Sequence, residues 1–247
     1  MTLESHTYEQ WPYYAAHTIA WLQSYSFPIW LSLGILSILG WLLRWRGDPW
    51  IWDKLQVLLD KFQEIAFSSY ANHIKDHHRV TLFKYKKWHW RISTPMTKGT
   101  WPWTKDRLPW SGWLIPILRS GRTSQKTKAV FMAPDNGNLA EGVAGKAWVA
   151  NNIIVAPNLP NLSSSSSDQQ IARYAKRTTC PAPIVKDYVA RGRDLPRSIG
   201  AIPIEVNNVP WGVLVLDSRE EKGVTPELLN SYTLIVNSIS QLLEKAK

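Results

Sequence analysis

Three clustered histidines, a single cysteine and an uneven spread of cations are the residues of this 247-residue chain from which chemistry could be built. His73 and His77 stand four apart, next to His78, a spacing that on a helix can chelate zinc. No glutamate lies between them in the metalloprotease arrangement and no cysteine is near, so the simpler expectation is a solvated helix end without a metal. Cys180 is the one cysteine. It excludes an internal disulfide framework and fits a reducing compartment. Nothing else combines a nucleophile, a base and oxyanion donors at recognisable spacing, and no glycine-rich loop runs into Lys-Ser or Lys-Thr as a phosphate cradle would. The chain is therefore not expected to be an enzyme, and no cofactor is expected.

The cations have a context. From Arg79 to Lys128 there are twelve basic residues and one acid, Asp106, interleaved with Trp88, Trp90, Trp101, Trp103, Trp110 and Trp113. Indole rings straddle apolar and wet zones while cations meet anionic head groups, so this mixture suits a membrane surface. A packed or solvated loop is the next expectation. Stacked bases would suit the same rings, but nucleic acid ranks behind both.

The elements that must position these residues begin with a charge boundary. The first 43 residues contain no lysine or arginine, and they end in an apolar run, Phe27 to Leu43, that meets Arg44 and Arg46. As a helix that run is about 25 Å long, and extending it back through Ile19 to Leu22 brings it to bilayer thickness. A cleaved signal peptide would need a basic start and a small-residue cleavage site, and neither is present. The organisation expected is a short extracytoplasmic tail over 1–18, a transmembrane helix over 19–45, a linker over 46–51 and a cytoplasmic domain over 52–247. Basic residues stay on the cytoplasmic side, so Arg44 and Arg46 place the protein in the inner membrane as a single-pass chain with its N-terminus outside. Trp41, Arg44, Trp45, Arg46 and Trp50 are the expected interface residues. The part beyond the anchor carries a formal charge near +12 and is large enough to bury its own core.

After Gly47-Asp48-Pro49, apolar residues Leu55, Leu58, Leu59, Phe62, Ile65 and Ala66 recur at three and four, predicting a helix from Trp52 to about Tyr70 or Ile74. Val80 to Ile92 reads as a strand whose phase shifts at Lys86-Lys87. Ser93 to Pro116 is read as a connection, and 93–127 as a tryptophan-rich basic insertion. A strand over Lys128 to Ala133, a short helix over Gly142 to Ala150 and a strand over Ile153 to Ala156 follow. The serine run Ser163 to Ser167 precedes a helix through Ile171 to Lys176. Ser198 to Ile204 and Val209 to Leu216 form a hairpin about Asn207-Asn208, and Thr225 caps a long terminal helix.

This order is α+β with an antiparallel sheet, and several stretches resemble the GAF family of small sensory domains. The resemblance rests on Glu141-Gly142-Val143-Ala144-Gly145-Lys146-Ala147-Trp148, on Ile153 to Leu159, on Ser198-Ile199-Gly200-Ala201-Ile202-Pro203-Ile204, on Val209 to Leu216, and on the helix opening at Thr225-Pro226-Glu227. It implies a twisted antiparallel sheet with the first and last helices packed together on one face and a ligand pocket on the other, covered by Asn158 to Pro196. Within that cover, Arg173, Arg177, Tyr188, Arg191 and Arg193 are the expected ligand-binding residues. Guanidinium forks match phosphate geometry, so the ligand would be small and anionic. The family's chemistry is not carried over: Cys180 is followed by Pro181-Ala182 where bilin attachment commonly has histidine, and the cyclic-nucleotide signature is absent. One cysteine cannot complete the cycle of a GAF-fold methionine sulfoxide reductase.

The expected function is a membrane-anchored, non-catalytic sensor or interaction module that binds a small anionic ligand and signals through a homodimer or a protein partner. Two other readings share the same sequence features: a membrane-acting effector of a prokaryotic defence system, triggered by a nucleotide messenger or partner, and a passive membrane tether for a larger complex.

Overall fold

Valine and leucine alternate along Val213-Leu214-Val215-Leu216, and the alternation sorts the core into two faces, as a period of two requires. The structure, a computed structural model, describes residues 18, 21, 24–46, 49–68, 70, 77–89, 108–120 and 129–245, with the side chains of 42–49 outside the description. The chain divides into the units Met1–Pro49 and Trp50–Lys247. Residues 93–107 and 121–127 of the expected insertion, the expected strand residues 90–92 and 128, His73, the tail residues 1–17 and the linker residues Gly47 and Asp48 lie outside the described residues.

In the second unit the central pair is β1 (His78–Lys86) against β6 (Val209–Ser218). With β2 (Trp113–Arg119), β3 (Phe131–Met132), β4 (Ile154–Ala156) and β5 (Ser198–Val206) they make a six-stranded antiparallel sheet of order β3-β2-β1-β6-β5-β4. The hairpin at Asn207-Asn208 has φ of 54° and 59°, the left-handed pair that a two-residue turn of this twist needs and asparagine tolerates. Gly212 makes the central pairing possible: a Cβ there would sit 2.0 Å from the Phe83 carbonyl oxygen.

Leu214 and Leu216 face the first and last helices. Helix α2 (Pro49–Ala66) seats Ile51, Leu55, Leu59, Phe62 and Ala66 against Val80, Leu82, Ile202 and Ile204. The terminal segment of the chain contributes Leu229, Val236, Ile239 and Leu243 to the same cluster. Val213 and Val215 face the other way, toward α3 (Gly142–Ala150), α4 (Asp168–Thr178) and α5 (Ala182–Ala190). The sheet thus lies between two helical layers, with α2 and the terminal segment together on one face as the sequence implied.

Four elements depart from expectation. β1 ends at Lys86, where the phase shift had suggested a break. β2 lies wholly within 93–127, the stretch read as an insertion, and is a strand of the sheet. Its Pro116 is tolerated because β3 pairs only with Trp113 and Leu114, leaving that edge open, and because β1 shifts register between Leu82 and Phe83 opposite it. Helix α5 was not expected; Pro181 precedes it and offers no capping side chain. The terminal helix is split at Tyr232 into α6 (Pro226–Ser231) and α7 (Thr233–Lys245). Ser231 Oγ and Thr233 Oγ1 donate to the Leu228 and Asn230 carbonyls at 2.8 and 2.9 Å, competing with the backbone for helical acceptors.

The first unit is described chiefly by α1 (Ser26–Arg46), 21 residues long. Phe27, Trp30, Leu31, Leu33, Ile35, Leu36, Ile38, Leu39 and Trp41 are all exposed along it. Among the described residues, whose side chains in α1 stop at Trp41, no helix is long and apolar enough to cross a membrane.

Candidate functional site

The sheet face opposite α2 is the place where the sequence located a ligand. Its buried strand residues are Phe83, Leu114, Ala201, Val213 and Val215. Val143, Ala144 and Ala147 of α3, Ile171, Tyr174 and Ala175 of α4, and Val185 and Val189 of α5 meet them in one buried cluster. Side chains from the three helices pack on this face.

Helix α4 starts well defined. Ser167 Oγ accepts from Gln170 N while the Gln170 side chain accepts from Ser167 N, a reciprocal cap. The apolar stripe this sets turns Ile171, Tyr174 and Ala175 inward and leaves Arg173 and Arg177 outside. Arg177 is held at the surface, its guanidinium donating to the Pro157 carbonyl at 2.6 Å and the Asn158 carbonyl at 2.5 Å. Arg173 is exposed. On α5 and after it, Arg191 pairs with Asp187 at 3.0 Å, and the exposed Arg193 lies over the Tyr188 ring at 5.3 Å. Burial raises the Tyr188 phenol pKa, and the neighbouring Arg193 opposes that shift. Tyr188, Arg191 and Arg193 are brought together, while Arg177 is engaged separately on α4 and Arg173 is solvent-facing.

The half-buried Cys180 follows α4. Desolvation pushes its thiol up to about 11, with Glu141 adding to the rise and a Thr178 hydrogen bond opposing it. Such a thiol is protonated at neutral pH and is a poor nucleophile. Glu141 is itself buried and accepts from Met132 N at 3.1 Å, fixing β3 to the start of α3.

His78 is not at a helix end, as α2 stops at Ala66. It opens β1, stacks on Phe67 with ring centres 4.5 Å apart, and places Nδ1 2.9 Å from Ser218 Oγ. The serine and histidine have the spacing of a nucleophile and base, yet both are buried, and Ser218 Oγ also accepts from Glu220 N at 3.0 Å. The contact ties the start of β1 to the end of β6. Beside it, Arg79 forms a partly buried pair with Asp217. Sequence reading missed both contacts because they join residues some 140 positions apart, and the β1/β6 register was the signal needed. No group of three or more histidine, cysteine, aspartate or glutamate side chains among the described residues could hold a metal ion.

Of the expected interface residues, Trp41 on α1 and Trp50 on α2 are exposed, while Arg44, Trp45 and Arg46 fall within α1 with side chains outside the description. An open groove on the outer side of α2 and α7 is lined by Trp50, Val57, Leu58 and Leu242, among others.

No family model matches the chain, and no curated protein matches it. Solved structures do. The GAF domain region of a protein taken to be a membrane protein from Geobacter sulfurreducens PCA is similar at 12% identity and a TM-score of 0.43, over 78% of this chain and 95% of that one. The Aquifex aeolicus (A. aeolicus) nlh2 GAF domain in an inactive state is similar at 17% and 0.32, over 77% and 94%. A type II free methionine-R-sulfoxide reductase from Thermoplasma acidophilum is similar at 11% and 0.36, over 76% and 95%. These likenesses say nothing of what the chain binds.

Proposed function

We propose that this GAF-like chain is a membrane-anchored, non-catalytic interaction module that works as a homodimer. The observation that carries the reading is α1: its described apolar side chains from Phe27 to Trp41, apart from the half-buried Ile29, are exposed around the helix. A helix apolar all round has hydrocarbon as its natural solvent. The stretch described with its side chains, up to Trp41, is too short to span by itself; the helix runs on to Arg46, 21 residues or about 31 Å, and in this reading the whole of it crosses. Arg44 and Arg46 close it, which favours an inner-membrane, single-pass protein with its second unit in the cytoplasm.

The outer groove of α2 and α7 offers apolar surface to a second copy through Val57, Leu58 and Leu242. A two-fold pairing would bury the same patch on both. An anionic ligand would meet Arg173, Tyr188, Arg191 and Arg193, the cations of α4 and the end of α5 that are exposed and the ring that Arg193 lies over. Signalling to a protein partner would pass through the paired helices or through the span.

Washing membranes of expressing cells at alkaline pH tests the anchor: the chain is expected to stay in the pellet, and its release would overturn the reading. Cross-linking in vesicles tests the pairing. Val57→Glu should sharply lower dimer yield, and an unchanged yield would remove the homodimer.

A further inference from the structure

Helix α2 and strand β1 fix which end of the second unit receives the chain. Gln63 Nε2 donates to the His78 carbonyl at 3.0 Å, and Gln56 Nε2 donates to the Arg119 carbonyl at 3.0 Å. Arg119 pairs with Thr81. From Gln63 back to Gln56 is about 10 Å of helix, alongside about 10 Å of strand from His78 to Thr81. Continuing to Trp50 adds about 9 Å and comes level with Lys84. Ile51 and Trp52 accordingly join the cluster that holds Val206 and Trp211. The chain thus arrives at the sheet end formed by Lys86 and the Asn207-Asn208 turn.

That end has an unusual surface. Trp88 and Trp110 hold their rings 5.9 Å apart and are 54% and 51% exposed, and Val209 beside the turn is 60% exposed. Lys86 and Lys87 are exposed next to the indoles. Two more lysines lie over tryptophans here, Lys54 at 3.4 Å from the Trp50 ring centre and Lys84 at 5.4 Å from that of Trp211. Asp53, Asp135 and Glu205 share this end, and Glu205 accepts from the Asn151 amide at 2.8 Å.

We propose that this end is a second membrane contact, a face that rests on the head groups of an anionic bilayer with Trp88, Trp110 and Val209 at the interface and Lys86 and Lys87 toward lipid phosphates. The inference rests on the anchoring reading, which brings the bilayer to the side where Trp50 begins the unit. Exposed indoles set among lysines match a head-group layer, wet on one side and apolar on the other.

The test uses the full chain with Cys180→Ala, reconstituted in phosphatidylcholine vesicles with and without phosphatidylglycerol and containing spin-labelled lipid. One environment-sensitive fluorophore is placed through Val209→Cys, and in a second protein through Glu220→Cys at the opposite sheet end. The Val209 probe should be quenched and blue-shifted in the anionic vesicles, and the Glu220 probe should not. Each lysine at an anionic surface contributes about a fivefold factor, so Lys86→Glu with Lys87→Glu should lower the docked-to-free ratio roughly 25-fold or more. Trp88→Ser with Trp110→Ser should reduce quenching in both lipid mixtures. A chain that floats with the vesicles but shows equal quenching at both probes overturns this contact alone. A chain that does not float overturns the anchor and the contact together.

Discussion

Gly212→Ala is the sharpest probe of the sheet. Its new Cβ would lie 2.0 Å from the Phe83 carbonyl oxygen, 3.1 Å from the Phe83 carbonyl carbon and 3.2 Å from Lys84 Cα, all backbone. No rotamer can relieve that contact, so β1 and β6 must part by more than 1 Å, on the order of a third of a hydrogen-bond length. They are the two central strands, paired from His78↔Ser218 to Lys84↔Gly212. Overpacking costs about 1–3 kcal/mol, and each buried backbone group left unpaired adds about 1–3 kcal/mol, so a total of about 3–5 kcal/mol is expected. For a unit of this size that lowers the melting temperature by about 10 °C or more, read by far-UV circular dichroism. At Gly200→Ala the nearest atoms are side chains, Leu229 and Val224 both at 2.6 Å, which can yield where backbone cannot, although both are buried. That substitution should cost about half as much. Gly192→Ala meets open space at φ +64 and should cost about 1 kcal/mol from backbone strain alone. A Gly212→Ala protein that melts within about 2 °C of the parent would refute the reasoning, because the predicted cost corresponds to several times that shift.

Two further outcomes can be checked directly. Burial holds the Cys180 thiol near 11 in the native state, against about 8.5 when unfolded, so the native chain binds more protons between those values and its stability falls as pH rises through them; denaturant titrations at both ends of that window should show the loss in the parent and a flatter profile in Cys180→Ala. Asn208 sits at φ 59°, so the β-branched Asn208→Val should cost about 1–2 kcal/mol by the same titration, whereas a neutral result would mean that the turn rearranges freely.

The parts of the fold legible in the sequence are those where local chemistry and tertiary packing agree. Helix α3 lies on its predicted residues, Gly142–Ala150, and the Asn207-Asn208 hairpin pairs as expected because only a left-handed turn joins those two alternating strands. The rest needed long-range information. Pro116 argued locally against a strand, and only the two-residue length of β3 leaves it room. The stripe from Leu228 to Leu243 read as one helix because periodicity is blind to hydroxyls that bond back at Ser231 and Thr233. For the candidate site, cation type was legible but cation occupation was not: nothing near Arg177 in sequence reveals that the Pro157 and Asn158 carbonyls hold it.

Helix α2 has a mechanical consequence. Its seats, Ile51, Leu55, Leu59, Phe62 and Ala66, are spread along the helix from the Lys86 end of the sheet to the His78 end. Tension applied at Trp50 along the helix axis therefore loads all of these seats in shear at once. Tension across the axis would peel them off in order, starting at Ile51. The unit should consequently be stiff to a lengthwise pull and soft to a sideways one, so it would respond to the direction of a force as well as to its size.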